Sequence, residues 1–301
     1  MSVVYLVTEI ISLVFAALSF LSNNYIIYLF FRKRIPHSET MRLALYLAYS
    51  DLGYAIAALI HIGYLAINWS YYYLNYNPYF IIYTNAFLPA FLKMIAVTSL
   101  SMAADRILAI FVPAYYRRAN RITYANATLA LALALFTFDF VLQIVTAKFE
   151  WNPNCGTMQC FVNRHFLIYV GYSNTVVGLL IFVISIIVFC GLYHMQNLRK
   201  VFETETTGKA ATSFRHANRV TIGILFSSLF FVTIPSLLVT LYENITGISL
   251  FAKLGPFYIC AILINGFADS LVFIILNVFV KGKRVRGAKS TVLSMSSVRN
   301  K

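Results

Sequence analysis

Charged residues are scarce in this sequence: they make up 11% of its 301 residues, and only 10 of them are acidic. Soluble proteins carry about 25% charged residues. Apolar residues account for 60% of the chain, and the mean hydropathy is +0.75. The shortage of charge therefore excludes an ordinary soluble domain and indicates an integral membrane protein.

Chemical motifs are also sparse. The five histidines are dispersed over links and different apolar runs, without the spacing of a metal site. The sequence contains no glycine-rich phosphate loop and no nucleophile elbow. Since no part outside the apolar runs is large enough for a catalytic domain, we expect neither enzymatic activity nor a cofactor.

Long apolar runs dominate the chain, and each is near or above the ~20 residues that cross a bilayer as a helix. They are too continuous for the strands of a barrel, which alternate over about 10 residues. We therefore predict an all-α bundle of seven transmembrane helices in one domain, 1–280, followed by a basic tail, 281–301. The runs cover 6–31, 41–68, 80–112, 124–147, 166–193, 220–242 and 255–280.

Basic residues are distributed unevenly around these runs. Of the 24 lysines and arginines, 20 fall near the ends of the runs on one side or in the tail. Because basic residues accumulate on the cytoplasmic side, the bias predicts an outside amino terminus and a cytoplasmic carboxyl terminus. The net charge of +14 is thus spread over membrane links, which argues against nucleic acid as a partner.

A carboxylate lies deep in the second run. Asp51 follows Arg42 by nine residues, or roughly 13 Å of helix, which places Asp51 well inside the hydrocarbon. Such a group either neutralises or finds polar partners, and Asn23 or Asn24 of the first run can supply one. We expect a structural or switch-related polar core; a plain packing or kink site is the alternative.

Lys93 and Asp139 reach similar depths in the third and fourth runs. Either they pair between the helices, or Lys93 faces an outer cavity and binds an anionic or carbonyl ligand. Asp139 and Glu243 complete this candidate cavity. In the sixth run, Pro235 predicts a kink and a hinge, although membrane helices also tolerate proline without such a role.

The links on the predicted outer side hold modification sites. Cys155 and Cys160, two of only four cysteines, lie in one such link, where an oxidising compartment permits a disulfide between them. Asn68 and Asn244 each begin a glycosylation acceptor pattern on the same side.

The third run ends in an adjacent acid and base, Asp105 and Arg106. An ionised pair in an apolar segment indicates a functional site, unless it merely marks where the helix leaves the lipid. The stretch Asp105-Arg106-Ile-Leu-Ala-Ile-Phe-Val-Pro113-Ala-Tyr-Tyr116-Arg117 resembles the Asp-Arg-Tyr-x-Ala-Ile-x-x-Pro-x-x-Tyr signature of rhodopsin-like G-protein-coupled receptors, with Ile107 in place of the tyrosine.

Other runs carry further parts of this resemblance. Leu47-Ala-Tyr-Ser-Asp51-Leu is similar to the second-helix motif of these receptors, and Asn23 or Asn24 to their first-helix asparagine. Asp269-Ser-Leu-Val-Phe273 resembles the seventh-helix Asn-Pro-x-x-Tyr motif, and the resemblance adds Asp269 and Phe273 to the predicted polar core. The sequence departs from the pattern at the top of the third helix, which lacks the usual cysteine, and before Pro235, where the usual tryptophan is missing.

The short outer segments and abundant Phe and Tyr resemble, more specifically, the nematode serpentine chemoreceptors, and among them class BC. The resemblance implies a plasma-membrane receptor of sensory neuron cilia that detects a small external chemical and couples to a heterotrimeric G protein. It also implies a cytoplasmic switch and coupling site formed by Asp105, Arg106, Pro113, Tyr116, Arg117 and Arg118. The alternative is a multi-span channel or transporter for a small solute.

Overall fold

The computed structural model describes residues 3–32, 41–156, 160–201, 209–246 and 255–279, and these residues form helices and links with no strand among them. In chain order the helices are α1 (Val3–Phe31), α2 (Arg42–Ile67), α3 (Pro78–Phe111), α4 (Pro113–Arg118), α5 (Arg121–Thr146), α6 (Arg164–Val201), α7 (Lys209–Ser228), α8 (Ile234–Thr246) and α9 (Phe257–Ile274). A π-helical turn, Leu229–Thr233, joins α7 to α8, and a second, Ile275–Phe279, follows α9.

Seven helical stretches in the described ranges are long and apolar enough to cross a membrane, which confirms the all-α seven-helix prediction. Their bounds lie within three residues of the predicted runs. They are Val3–Phe31, Arg42–Ile67, Pro78–Phe111, Arg121–Thr146, Arg164–Gly191, Arg219–Val239 and Phe257–Asn277. Helices suit this environment because they satisfy their backbone hydrogen bonds internally.

Asparagine and proline mark the helix ends that matter for the site. The Asn77 side chain accepts hydrogen bonds from the backbone N–H groups of Tyr79 and Phe80 at the start of α3. At the other end, Val112 leaves the helical conformation (φ −129°, ψ 60°) because it precedes Pro113. Pro113 then opens the short helix α4, a position that its fixed φ favours.

Helix α3 is the centre of the bundle. It contacts α2, α5, α6 and α7, whereas α1 packs against α2 and α9. Two thirds (67%) of the most apolar part of α3 is buried, against 17% for α6. Most side chains of α6 therefore face outward to the lipid, and a polar side chain on α3 lies among other helices.

The two ends of the bundle are named by what they carry. The Arg106 end holds the carboxyl end of α3 together with α4. The disulfide end holds the link 147–163, in which the Sγ atoms of Cys155 and Cys160 are bonded.

Pro235 lies just beyond the π-helical turn Leu229–Thr233, which interrupts the regular helix between α7 and α8. Proline has no N–H to donate to the carbonyl four residues earlier, and π turns are one of the recognised sites of helix deformation. The helix is therefore irregular next to Pro235, and the π-helical turn begins six residues before the proline itself.

Candidate functional site

Three side chains meet at the Arg106 end. Arg106, only 2% exposed, donates a hydrogen bond from Nη2 to Oδ2 of the neighbouring Asp105. The Tyr116 hydroxyl donates to the same oxygen at 3.3 Å and lies 3.5 Å from Arg106 Nη2. A buried acid, base and phenol thus form one closed contact at the end of the central helix.

Pro113 is the reason that Tyr116 can reach this contact. By ending α3 and starting α4, it turns the chain so that Tyr116 comes back beneath Asp105, although Pro113 itself is exposed. The guanidinium of Arg121 lies 4.2 Å from the centre of the Tyr116 ring. Burial raises the pKa of Tyr116; Arg106 opposes the rise and Asp105 reinforces it, so the phenol stays protonated and can donate.

Of the other basic residues predicted for the switch and coupling site, the structure describes only the side chain of Arg118. Arg118 is exposed. The Arg117 side chain and the basic tail, 281–301, lie outside the described residues.

A second polar cluster lies in the middle of the bundle, where α1, α2, α7 and α9 meet. Asn23 donates from Nδ2 to the carbonyls of Ser19, at 2.9 Å, and Gly266, at 3.4 Å. A side chain at Gly266 would collide with Asp51, since a Cβ there would lie 3.2 Å from the Asp51 carboxyl carbon. The glycine therefore allows α9 to approach the buried carboxylate of α2 closely.

Asp269 belongs to the same cluster. Asn265 donates to Asp269 Oδ2 at 2.9 Å, and Ser227 of α7 donates to Asn265 Oδ1 at 3.0 Å. One residue further along, the Ser270 hydroxyl donates to Ser22 of α1 at 2.6 Å. Polar contacts thus connect α9 to both α1 and α7.

Two predicted members of the polar core have other surroundings. Asn24 is only half-buried and donates to the carbonyl of Phe20 in its own helix, so Asn23 is the first-helix asparagine that faces the cluster. Phe273 is buried and stacks on Phe30 of α1, with 5.8 Å between ring centres.

Lys93 and Asp139 face each other between α3 and α5. Lys93 Nζ lies 3.8 Å from Asp139 Oδ2 and donates to Ser173 Oγ at 2.6 Å and to Asn174 Oδ1 at 3.1 Å, both on α6. The Tyr169 hydroxyl donates to the other Asp139 oxygen at 2.7 Å. The ammonium group of Lys93 is thus enclosed by protein groups, in a network that joins three helices.

The side chains of Glu243 and Asn244 lie outside the described residues. The other candidate glycosylation residue, Asn68, is exposed immediately after α2, and its amide donates to the carbonyl of Tyr64 at 2.9 Å.

The disulfide link is attached to the bundle by hydrogen bonds. The Asn154 N–H donates to the Leu74 carbonyl at 2.8 Å, and the Leu74 N–H donates back to Asn154 Oδ1 at 3.3 Å. Asn154 adopts a φ of 60°, a left-handed conformation that asparagine tolerates better than most residues. The attachment therefore joins the link between α2 and α3 to the link between α5 and α6.

Several buried polar side chains near the disulfide end were not predicted from the sequence. Glu9 is 1% exposed, and Asn85 and Gln143 are fully buried. Among the described residues, Glu9 Oε2 and both polar side-chain atoms of Asn85 and Gln143 have no hydrogen-bond partner. Glu9 could have been identified, because it is the single acidic residue inside the first apolar run. No comparable signal marks the two amides.

Metal binding has no support in the part of the chain that the structure describes, where no three His, Cys, Asp or Glu side chains group together. Taken together, the polar side chains link neighbouring helices. They include two buried ion pairs, Asp105 with Arg106 and Lys93 with Asp139, and the buried carboxyl groups of Asp51 and Asp269. Such an arrangement can hold alternative helix packings in balance.

Comparison with models of known protein families gives a match over most of the chain. The chain has no significant sequence match among curated proteins. The family model described as serpentine type 7TM GPCR chemoreceptor Srbc matches residues 1–283. Since this match covers the whole helical bundle and agrees with the seven membrane-length helices, the protein belongs to the Srbc family of serpentine seven-transmembrane chemoreceptors.

Proposed function

We propose that the protein is a receptor of the plasma membrane of sensory cilia that binds a small external molecule and signals to a heterotrimeric G protein. In this proposal the disulfide end faces outward and the Arg106 end faces the cytoplasm. The uneven distribution of lysine and arginine in the sequence supports that orientation.

The closed contact of Asp105, Arg106 and Tyr116 is the observation that carries the proposal. Arg106 is buried and engaged by Asp105, so it is inaccessible to a cytoplasmic partner in this conformation. A ligand that binds another helix arrangement more tightly shifts the population toward it, by at most its differential affinity for the two states. In that second arrangement Arg106 leaves Asp105 and contacts the G protein.

The polar groups between the helices supply the means of transmission. Helix α3 carries Lys93 toward the disulfide end and Arg106 at the opposite end, 13 residues or about 20 Å apart on one helix. A displacement of α3 at the outer level therefore also moves Arg106. The π-helical turn before Pro235 provides a second deformable point, between α7 and α8.

Asp105→Asn and Arg106→Ala test the proposal in cells that report G-protein activation. A hydrogen bond to a charged group is worth about 1.5–3 kcal/mol, so Asp105→Asn should raise basal signalling, by about tenfold or more where the resting state strongly predominates. Arg106→Ala should abolish signalling at unchanged surface expression. Arg42→Ala, an exposed arginine at the same end, is the control that should behave as wild type.

Unchanged signalling in both variants would contradict the proposal. A ligand-evoked current that persists without G protein would instead indicate the channel or transporter alternative.

A further inference from the structure

Glu9 is a buried acid that has no basic partner in the described part of the chain. It lies about 9 Å along α1 from Val3, inside the apolar part of the bundle, and it is 1% exposed. Among the described residues, no lysine, arginine or histidine forms an ion pair with it, and its Oε2 atom accepts no hydrogen bond. A buried carboxylate in this state is costly unless it is neutralised or meets a cation.

Asn85 of α3 is a second buried polar group without a partner among the described residues. It lies about 10 Å along α3 from Pro78, and both polar atoms of its buried side chain have no partner in the described part of the chain. Phe87, about 200° around the helix from Asn85, is 40% exposed, so Asn85 faces the bundle interior. Pro89 adds to this polarity, because it has no N–H to donate to the Asn85 carbonyl.

Aromatic rings border the same region. The Tyr76 side chain is buried, and its hydroxyl donates to the Leu65 carbonyl at 3.3 Å. Burial raises the pKa of Tyr76, and the nearby Glu9 carboxylate raises it further. The Tyr64 ring lies 6.0 Å from that of Tyr76 and 4.2 Å from that of Phe80. Aromatic faces near a carboxylate favour an organic cation.

The side chain of Tyr5 lies between Glu9 and the disulfide end of the bundle. Tyr5 lies one helical turn above Glu9 on the same side of α1. A Cβ at Gly156, in the disulfide-closed segment, would lie 3.1 Å from the Tyr5 ring, and one at Gly255, just before α9, would lie 2.8 Å from it. These short distances place both chain segments directly against the Tyr5 ring.

We propose that Glu9, with Asn85 and the ring of Tyr76, forms a binding site for a small organic ammonium ion. The site lies on the side of Tyr5 that faces away from the disulfide link. The inference rests on the receptor function proposed above and names its ligand class. Glu9 supplies the countercharge, Asn85 offers an amide to a polar group of the ligand, and Tyr76 offers an aromatic face. A hard metal ion fits poorly, since such ions take six or more oxygen ligands.

The test measures binding without signalling. Purified wild-type receptor in detergent is heated with methylammonium, with choline, or with the uncharged analogue of choline in which carbon replaces nitrogen. We expect at least one of the two cations to raise the melting temperature and the uncharged analogue to leave it unchanged.

Glu9→Gln should weaken this stabilisation by at least about tenfold in affinity, because a charged hydrogen-bond partner is lost. Glu9→Asp, which keeps the charge, should retain part of it. The matched control is Glu150→Gln, which removes an exposed carboxylate from the disulfide link and should leave cation binding unchanged. Without ligand, Glu9→Gln should melt at or above the wild-type temperature, because it removes an uncompensated buried acid.

Failure of both cations to stabilise the wild type, or equal stabilisation of wild type and Glu9→Gln, overturns the proposed site. The proposed site is also overturned if only uncharged compounds activate the receptor in the cells that report G-protein activation. That result would leave the receptor function intact. Conversely, Glu9-dependent cation binding supports the site even where Asp105→Asn and Arg106→Ala both leave G-protein signalling unchanged, a result that contradicts only the proposed receptor function.

Discussion

Replacing Lys93 with methionine removes an ammonium group from the centre of a three-helix network. Asp139, which is fully buried, keeps only the hydrogen bond from the Tyr169 hydroxyl. Removing one partner of a buried pair costs about 3–5 kcal/mol, because the other charge is left uncompensated. At about 2 °C per kcal/mol for a chain of this size, Lys93→Met should lower the melting temperature by about 6–10 °C.

Asp139→Asn should cost less than Lys93→Met, and the reason lies in the remaining contacts. The lysine keeps its hydrogen bonds to Ser173 and Asn174, and the new amide oxygen still accepts from Tyr169. The expected loss is about 1–3 kcal/mol, or about 2–6 °C. The double variant Lys93→Met with Asp139→Leu should recover most of the stability, since apolar replacements of buried pairs are often neutral.

Thermal denaturation of the purified receptor in one detergent measures all three variants, and cell-surface labelling measures their expression. The reasoning is refuted if Lys93→Met expresses and melts as the wild type does but loses its response to ligand. That result would place Lys93 in a ligand cavity. Equal losses for the two single variants would show that the hydrogen bonds to α6 contribute little.

Three further substitutions have definite expected outcomes. Tyr116→Phe removes the hydroxyl that donates to Asp105 and should raise basal G-protein signalling about fivefold, for about 1 kcal/mol of lost hydrogen bonding; unchanged signalling would exclude the phenol from the switch. Gly255→Ala should lower the melting temperature, because φ is +70° and a Cβ there has no room. Its control is Gly171→Ala, where a Cβ meets nothing within 4 Å, and this variant should be neutral or stabilising. Cys155→Ser should cost about 2 kcal/mol in the chain-entropy account of disulfides, and an unchanged melting curve would count against that contribution.

The number of helices and their bounds could be predicted from the sequence because a bilayer imposes a simple requirement on each span. About 20 apolar residues are needed to cross it, and the structure shows helices where those runs occur. The sequence indicated that Tyr116 belongs with Asp105 only through the resemblance of residues 105–117 to a known receptor motif. Composition alone does not reveal that Pro113 turns the chain back toward the bundle.

Pairing between helices was harder to predict, since it depends on rotation about each helix axis. The sequence left Asn23 and Asn24 as equal alternatives, whereas the structure directs Asn23 toward Gly266 and Asn24 toward its own helix. Similar depth in the membrane was enough to suggest that Lys93 meets Asp139, but not that Ser173 and Asn174 join them. Asn85 was missed because one asparagine in an apolar run has no pattern that separates it from a packing residue.

The disulfide of this protein bridges two cysteines of the same link, so it does not tie that link to α3. The contacts of this link with the rest of the bundle are non-covalent, and they include the paired hydrogen bonds of Asn154 and Leu74 and the packing of Phe149 on Tyr79, with 5.0 Å between ring centres. These contacts therefore include no bond that a reductant can break.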